Sequence, residues 1–285
     1  MESTVSFEVQ QKFQRLQTIL REMESVVIGF SGGIDSTLLI RVATEVLGDG
    51  ALAVIGRSET YPTREFEEAV ALAKQFGSRF RVVATEETDN LKFRENPPDR
   101  CYFCKSELFG KLNIIAEEER LRWIADGTIS DDMGDFRPGM RAKSEQNVRS
   151  PLLEAGFSKS DVRTLAKHLD IPTWDKPSFA CLSSRFPYGF GITKENLMKI
   201  DEAETTMRDL GFSFFRVRHH DDKTARIEIG KQEFHRIFDD QLREQIVERF
   251  KKFGFVYVTL DLQGYRTGSM NEVLSAETKE AFLKA

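Results

Sequence analysis

The sequence lacks the features of a membrane or exported protein. No apolar run in its 285 residues approaches the roughly 18 residues that cross a bilayer. Residues 1–16 are charged and contain no apolar stretch of the kind found in a signal peptide. We therefore expect a cytoplasmic protein that has no membrane partner.

Cysteine and histidine are scarce, with three and four residues respectively. An odd number of cysteines does not form the paired framework of a small secreted protein. Two of them stand as Cys101-x-x-Cys104, and Cys181 lies far along the chain. No histidine has an obvious metal-ligand spacing to a cysteine. In a reducing compartment this pattern indicates a metal, an iron–sulfur cluster or redox chemistry.

No strong excess of one charge is present, because 41 basic residues face 46 acidic ones and give a net charge of −5. A mildly acidic chain is not a general polyanion binder, so we expect no nucleic-acid partner. Hydrophobic residues make up 40% and charged residues 31%, which is an ordinary globular balance. The chain can therefore bury the core of one large domain or two smaller ones.

The first half of the chain alternates short β-branched runs with helical periodicity. Strands are predicted at 26–30, 51–56, 79–84 and 122–126. Helices are predicted between them, at 36–47, 62–76 and 102–120. This alternation predicts an α/β fold in which a parallel sheet carries helices on both faces.

Two later segments interrupt the alternation. Residues 127–158 are polar and rich in turns, which predicts a long functional loop, and a helix is predicted at 160–169. Residues 171–191 are rich in proline and predict a hinge. The remaining pattern predicts a small α+β unit with helices at 193–210 and 231–253 and strands at 214–220, 225–229 and 255–262. We therefore predict two domains, residues 1–185 and residues 186–285.

The strongest motif is the loop between the first strand and the first predicted helix. It reads Ser31-Gly32-Gly33-Ile34-Asp35-Ser36-Thr37. The glycines let a phosphate approach the backbone, the helix N-terminus carries partial positive charge, and the hydroxyl groups add donors. The loop lacks the lysine of a Walker A motif and the GxGxxG pattern of dinucleotide folds. It predicts a phosphate-binding loop of another kind, and a serine-capped tight turn is the structural alternative.

This loop resembles the SGGxDS signature of the PP-loop ATP pyrophosphatases, which cleave ATP between the α and β phosphates. The resemblance implies that the loop binds the leaving pyrophosphate and that Asp35 acts near Mg²⁺ or orients the loop. A carboxylate that is merely favoured by the helix dipole is the alternative explanation of Asp35. In the superfamily, the adenylated intermediate then reacts with ammonia or with sulfur.

Several longer segments are also distinctive, and they include Asp126-Gly127-Thr128, Asp135-Phe136-Arg137-Pro138-Gly139, Ser183-Ser184-Arg185-Phe186-Pro187-Tyr188-Gly189 and Arg216-Val217-Arg218. Together they resemble one branch of that superfamily, the LarE family, and the resemblance spans roughly residues 10 to 275. LarE proteins thiolate pyridinium-3,5-biscarboxylic acid mononucleotide for the nickel-pincer cofactor of lactate racemase. The resemblance implies an ATP-dependent sulfur transferase that releases AMP and pyrophosphate.

Members of the family differ in their source of sulfur. Those with one cysteine in the SSRFPYG region give up its sulfur and retain dehydroalanine. Those with an additional CxxC bind a [4Fe–4S] cluster. Cys101, Cys104 and Cys181 resemble the second group, so the resemblance implies a cluster with one open iron as the sulfur carrier. A zinc site and a sacrificial Cys181 are the alternatives.

The resemblance also implies a set of substrate-binding residues. Arg216 and Arg218 alternate along a predicted strand and would bind the substrate phosphate with Ser184 and Arg185, since arginine offers planar bidentate donors. Glu204 resembles an acidic position of the family at the domain junction. The alternative to substrate binding is that Arg216 and Arg218 lie on a solvated strand face and form ion pairs there.

The ATP site would extend into the polar loop. Asp132 and Arg137 are expected to contact ATP, Mg²⁺ or substrate, with a simply solvated loop as the alternative. The expected partners are the mononucleotide substrate, other proteins of nickel-pincer cofactor synthesis and further copies of this chain, because the family resemblance implies a homo-oligomer.

Three other functions remain open at the level of the sequence. A tRNA-thiolating enzyme could use the same loop and three cysteines, but it would have a basic RNA-binding surface. An ammonia-using synthetase of the superfamily would leave the cysteines incidental. A non-enzymatic metal or redox sensor would leave the SGGIDS loop unexplained.

Overall fold

A computed structural model of the chain describes residues 5–134, 139–177, 180–266, 268–278 and 281. The strands are β1 (Val26–Gly29), β2 (Ala51–Arg57), β3 (Arg79–Ala84), β4 (Trp123–Ala125), β5 (Phe215–Asp221), β6 (Thr224–Ile229) and β7 (Tyr257–Leu260). The helices are α1 (Phe7–Met23), α2 (Ile34–Leu47), α3 (Thr63–Gln75), α4 (Leu91–Arg94), α5 (Arg100–Glu119), α6 (Gly139–Glu145), α7 (Pro151–Glu154), α8 (Lys159–His168), α9 (Lys194–Asp209) and α10 (Asp240–Lys252). Within the described ranges, no helix is both long and apolar enough to span a bilayer.

The first four strands form a parallel sheet in the order β3-β2-β1-β4. The central strand β1 is paired on both sides, with Val27 opposite Leu52 of β2 and Ile124 of β4. Strands buried on both faces need hydrophobic residues at successive positions, which is why β1 and β2 appear in the sequence as continuous apolar runs. The predicted parallel sheet is confirmed.

Alternate residues of these strands point into two separate cores. Val26 and Ile28 pack with residues of α1, α2, α3 and α8 on one face of the sheet. Val27 packs with α5 and α6 on the opposite face, together with Leu52 and Ile124. The predicted arrangement of helices on both faces is therefore confirmed.

A second, smaller sheet has the order β5-β6-β7. Strands β5 and β6 are antiparallel, whereas β6 and β7 are parallel because the chain between them crosses over through α10. This sheet packs with α9 and α10 around a third core, to which Phe93 and Leu182 also contribute from outside the C-terminal segment. The domain division at residues 185 and 186 stays a prediction.

Two predicted elements differ from the structure. Residues 231–253 do not form one helix, since a 3₁₀-helix over Lys231–Phe238 ends before α10 begins. Asp239 has an extended backbone there, and its side chain accepts a hydrogen bond from the Leu242 backbone N–H at 2.8 Å as the N-cap of α10. Residues 127–158 are not a loop throughout, because α6 and α7 lie within them.

Candidate active site

The glycine-rich loop lies at the carboxyl end of β1 and leads into α2. Gly32 has a φ of +62°, and a Cβ atom there would lie only 3.0 Å from the Cβ of Ala69 on α3. The loop is closed by Ser36, whose hydroxyl donates to the Gly33 carbonyl at 3.1 Å and accepts from the Ser31 N–H at 3.3 Å. The loop therefore needs glycine for its conformation and for its close packing.

The N-terminus of α2 is available to an anion. Gly33 is its N-cap and, having no side chain, does not cap the N–H groups of the first turn. The N-terminal N–H groups and the helix dipole favour a negatively charged ligand at such an end. Tyr61 supports the loop from outside, because its hydroxyl donates to the Ser31 carbonyl at 2.6 Å. Burial raises the pKa of Tyr61, so its phenol stays protonated as a donor.

Asp35 stands in the first turn of α2 and forms an ion pair with Lys159 at the start of α8. The Lys159 Nζ lies 2.8 and 2.6 Å from the two carboxylate oxygens. Burial raises the pKa of Asp35, Lys159 opposes that shift, and the nearby carboxylate of Asp132 raises the pKa further. The structure thus brings Asp35 and Asp132 together and adds Lys159, which the sequence analysis missed.

The Asp126-Gly127-Thr128 segment follows β4 and packs against the start of α2. A Cβ atom at Gly127 would lie 2.8 Å from the Ser36 backbone nitrogen. Asp126 is fixed by Lys143, whose Nζ lies 3.3 Å away, and by the Ser150 hydroxyl. Burial would raise the pKa of Asp126, but Lys143 and these hydrogen bonds outweigh it and the pKa lies below its usual value. Arg137, predicted for this side of the site, lies outside the described residues.

The three cysteines are free thiols, and each is half-buried. Cys101 and Cys104 are in the first turns of α5, and Cys181 directly precedes a 3₁₀-helix over Leu182–Arg185. Burial raises the pKa of Cys104 well above its usual value, and Glu87, Cys181 and Cys101 raise it further. Within the part of the chain that the structure describes, no group of three or more His, Cys, Asp or Glu side chains is arranged to hold a metal ion.

Glu87 connects two of these cysteine segments. Its Oε1 accepts hydrogen bonds from Thr60 Oγ1 at 2.5 Å and from Ser58 Oγ at 2.7 Å, and the Cys104 thiol lies 3.9 Å away. The Thr60 carbonyl accepts a hydrogen bond from the Leu182 N–H at 2.8 Å, next to Cys181. Sequence reasoning missed Glu87 because its partners come from two distant segments, residues 58–60 and the start of α5.

Arg185 and Glu204 form a buried ion pair beside Cys181. The guanidinium Nε and Nη2 lie 2.8 and 2.9 Å from the two carboxylate oxygens. Nη1 of Arg185 donates to the carbonyls of Ala180 and Cys181 and to the Ser184 hydroxyl. Arg185 thereby fixes the backbone that carries Cys181.

The two strand arginines have different environments. Arg218 is buried and forms hydrogen bonds with Glu228 at 3.0 and 2.8 Å, with the Ser184 carbonyl and with the Ser269 hydroxyl. Arg216 is half-buried on the same side of β5, and its guanidinium lies 5.0 Å from the Tyr265 ring centroid. Burial and the neighbouring Arg185 lower the pKa of Arg216. The predicted residues Ser184, Arg185, Glu204, Arg216 and Arg218 are therefore brought together, whereas their contacts with substrate stay a prediction.

Known proteins resemble the chain along most of its length. A family model described as NAD synthase matches residues 8–148. An uncharacterized protein of Synechocystis sp. is 41% identical over 267 residues, which cover 94% of this chain and 99% of that protein. The pyridinium-3,5-bisthiocarboxylic acid mononucleotide synthase of Lactiplantibacillus plantarum is 39% identical over 263 residues, covering 91% of this chain and 94% of the synthase.

The chain belongs to the LarE family of PP-loop proteins. The predicted family is thus confirmed, and the chain is an enzyme of a class that uses ATP. A more distant relative, the NH(3)-dependent NAD(+) synthetase of Chlorobium phaeobacteroides, is 27% identical over 242 residues, covering 78% of this chain and 77% of the synthetase.

Proposed function

We propose that this LarE-family enzyme converts pyridinium-3,5-biscarboxylic acid mononucleotide into its bisthiocarboxylic form. The similarity to the Lactiplantibacillus plantarum synthase carries the proposal, because it extends over both sheets and over the loop, cysteine and arginine segments. The NAD synthase model, by contrast, ends at residue 148, before Cys181 and β5. The NH(3)-dependent NAD(+) synthetase of Chlorobium phaeobacteroides is less similar, at 27% identity over 78% of this chain, so the similarity favours sulfur transfer over amide formation.

The first half-reaction activates a carboxylate. A substrate carboxylate oxygen forms a bond to the α-phosphorus of ATP, and the bond from that phosphorus to the pyrophosphate oxygen breaks. The products are an acyl-adenylate and pyrophosphate. Ser31, Gly33 and the N-terminus of α2 would bind the pyrophosphate, and Asp35 with Asp132 would hold Mg²⁺ against it. Lys159 would leave Asp35 on Mg²⁺ binding or remain as a bridge to a phosphate oxygen.

The second half-reaction replaces oxygen with sulfur. A hydrosulfide sulfur forms a bond to the acyl carbon, the bond from that carbon to the AMP oxygen breaks, and one proton is released. The products are a thiocarboxylate and AMP. Activation as an acyl-adenylate divides one difficult displacement into two easier ones.

The substrate would bind at the arginine face of β5. Arg216 would contribute its planar guanidinium to a phosphate site from a half-buried position 5.0 Å from the Tyr265 ring centroid. Arg218 and Arg185 are each neutralised by a buried glutamate, so they would orient Ser184 and the Cys181 segment as well as add donors. In this proposal, the phosphate site and the cysteines would lie on adjacent segments.

The three cysteines fit a [4Fe–4S] cluster in their chemistry. Two thiols lie one helical turn apart on α5, and the third influences the pKa of Cys104 from the Cys181 segment. Three thiolates leave one iron of a cubane cluster without a protein ligand. Such a cluster would supply sulfur that does not come from the polypeptide. In this proposal, Cys101, Cys104 and Cys181 hold the cluster, and Arg185 keeps Cys181 in place.

The test is a sulfur-transfer assay under anaerobic conditions with substrate, ATP, Mg²⁺ and sulfide. We expect repeated turnover, AMP and pyrophosphate as products, and iron in the wild-type chain that is lost in Cys101→Ala. Ser106→Ala is the matched control on α5, because its buried hydroxyl has no hydrogen-bond partner in the structure. Absence of any thiocarboxylate product would overturn the proposed function.

The same experiment separates the two sulfur sources. An iron-free chain that acts once and becomes lighter by one H₂S would show that Cys181 is a sacrificial donor with dehydroalanine left in its place. That result would overturn the proposed cluster but support the proposed sulfur-transferase activity. We also propose that the chain forms a homo-oligomer and contacts other proteins of nickel-pincer cofactor synthesis. Measuring the mass of the protein in solution tests whether it forms the homo-oligomer.

A further inference from the structure

The chain that follows β7 covers the polar face of the small sheet. Val217 of β5 points into the core that the sheet forms with α9 and α10. Arg216 and Arg218 alternate with Val217, so they lie on the opposite face. Residues 264–266 and 268–273, called here the C-terminal segment, contact both arginines on that face.

Polar side chains hold the C-terminal segment against the sheet. Ser269 is only 8% exposed, and its hydroxyl accepts a hydrogen bond from Arg218 Nη2 at 2.9 Å. Asn271 Oδ1 accepts a hydrogen bond from the Tyr188 hydroxyl at 2.9 Å. The C-terminal segment is thus joined both to β5 and to the stretch of chain that carries Ser184.

The backbone of Tyr265 is fixed at the end of β6. Its N–H donates to the carbonyl of Ile229 at 2.9 Å. The preceding residue, Gly264, has a φ of +71°, and a Cβ atom there would lie 2.7 Å from the same carbonyl oxygen. Only glycine allows this close approach, and the turn therefore determines where the Tyr265 ring lies.

The ring of Tyr265 holds a cation that its neighbour repels. The guanidinium carbon of Arg216 lies over this ring, 5.0 Å from its centroid, which is within the range of a cation–π contact. Burial and the Arg185 cation lower the pKa of Arg216, whereas Glu204 and Tyr265 raise it. An aromatic face attracts a guanidinium but accepts none of its in-plane N–H donors, which are the donors that bind a phosphate. A carboxylate partner, as Arg218 has in Glu228, accepts such donors instead.

We propose that Tyr265 is a positioning residue of the substrate site, whose ring holds the Arg216 guanidinium in the orientation in which it binds the substrate phosphate. The inference rests on the proposed phosphate site at Arg216. Ser269 and Asn271 keep Tyr265 in place by fixing the C-terminal segment. The C-terminal segment is therefore a part of the substrate site.

Calorimetric titration of the full-length chain with pyridinium-3,5-biscarboxylic acid mononucleotide tests this role. A non-hydrolysable ATP analogue is present, so no turnover occurs. We expect Tyr265→Leu to weaken mononucleotide binding about fivefold or more, the order of one cation–π contact, without changing the affinity for the ATP analogue. Tyr265→Phe keeps the aromatic face and should restore most of the affinity. Tyr257→Leu is the matched control, because Tyr257 is 60% exposed on β7.

A double-mutant cycle tests whether Tyr265 acts through Arg216. In a chain that already contains Arg216→Ala, Tyr265→Leu should cause no further loss of mononucleotide affinity, because the cation that the ring holds is absent. A further loss of the same size as in the wild-type background would overturn the positioning role.

The other outcomes separate the inference from the proposed function. Wild-type mononucleotide affinity in Tyr265→Leu would overturn the role of Tyr265 and leave the proposed function intact. Wild-type affinity in Arg216→Ala would overturn the phosphate site, and a wild-type chain that does not bind the mononucleotide would overturn the proposed function; either result also overturns the inference. Should Tyr265→Leu fail to fold by circular dichroism, phenylalanine and pentafluorophenylalanine at position 265 are compared, since fluorination removes the negative ring face at nearly constant shape. Equal affinities in those two chains would also overturn the role.

Discussion

Removing the negative charge of Glu204 is predicted to destabilise the fold strongly. The side chains of Arg185 and Glu204 are 1% and 6% exposed, so almost no water is available to replace either partner. Glu204 Oε1 also accepts a hydrogen bond from the Val217 N–H at 3.1 Å. Glu204→Gln leaves the Arg185 cation buried and uncompensated, and the loss of one partner of a buried pair costs about 3–5 kcal/mol.

Urea denaturation at neutral pH measures this cost. Glu248→Gln is the matched control, because Glu248 pairs with Lys252 on α10 and both side chains are 68% exposed. An exposed pair of this kind contributes about 0–1 kcal/mol. A free energy of unfolding that falls by the same small amount in both variants would refute the importance of the buried pair.

The effect of Glu204→Gln should also depend on pH. Burial would raise the pKa of Glu204, but Arg185 outweighs it, and the pKa in the folded state lies below its usual value. The stabilisation is therefore present above the unfolded pKa of about 4.3 and is lost as the pH falls through the folded value. The difference in unfolding free energy between wild type and Glu204→Gln should shrink under acid conditions, and a constant difference there would contradict this assignment.

Three further predictions concern the ATP and substrate sites. Asp35→Ala should abolish pyrophosphate release while the circular dichroism spectrum stays unchanged, and normal release would refute its role at the loop. Gly127→Ala should lower stability by about 1–3 kcal/mol in thermal denaturation and raise the KM for ATP, because its Cβ would lie 2.8 Å from the Ser36 nitrogen; an unchanged KM would contradict this packing. Arg216→Ala should raise the KM for the mononucleotide about tenfold or more without changing the KM for ATP, and a KM for the mononucleotide equal to that of the wild type would refute a role of Arg216 in phosphate binding.

Local sequence predicted the loop and the sheet well. The residues from Ser31 to Thr37 carry their own glycine, hydroxyl and helix-start signals, so no distant contact was needed to recognise them. Strands β1 and β2 are continuous apolar runs, which parallel pairing on both sides requires. The break at Asp239 was missed, although an aspartate three residues before Leu242 is an ordinary N-cap signal.

Long-range partners explain what local sequence did not predict. Lys159 reaches Asp35 from 124 residues away, and neither residue has a spacing signal for the other. Glu87 and Arg100 look like ordinary surface residues in the sequence, yet both are buried in the structure. The resemblance to LarE proteins supplied both Glu204 and Arg185 as site residues, whereas the ion pair between them became evident only from the structure.

The central claim is that the enzyme adenylates a substrate carboxylate and then replaces its oxygen with sulfur. The most direct test uses pyridinium-3,5-biscarboxylic acid mononucleotide labelled with oxygen-18 in its carboxylates, together with ATP, Mg²⁺ and sulfide. Mass spectrometry of the nucleotide products should find one labelled oxygen in AMP for each thiocarboxylate formed and none in pyrophosphate. Thiocarboxylate formation with unlabelled AMP, or with the label in pyrophosphate, would contradict the account.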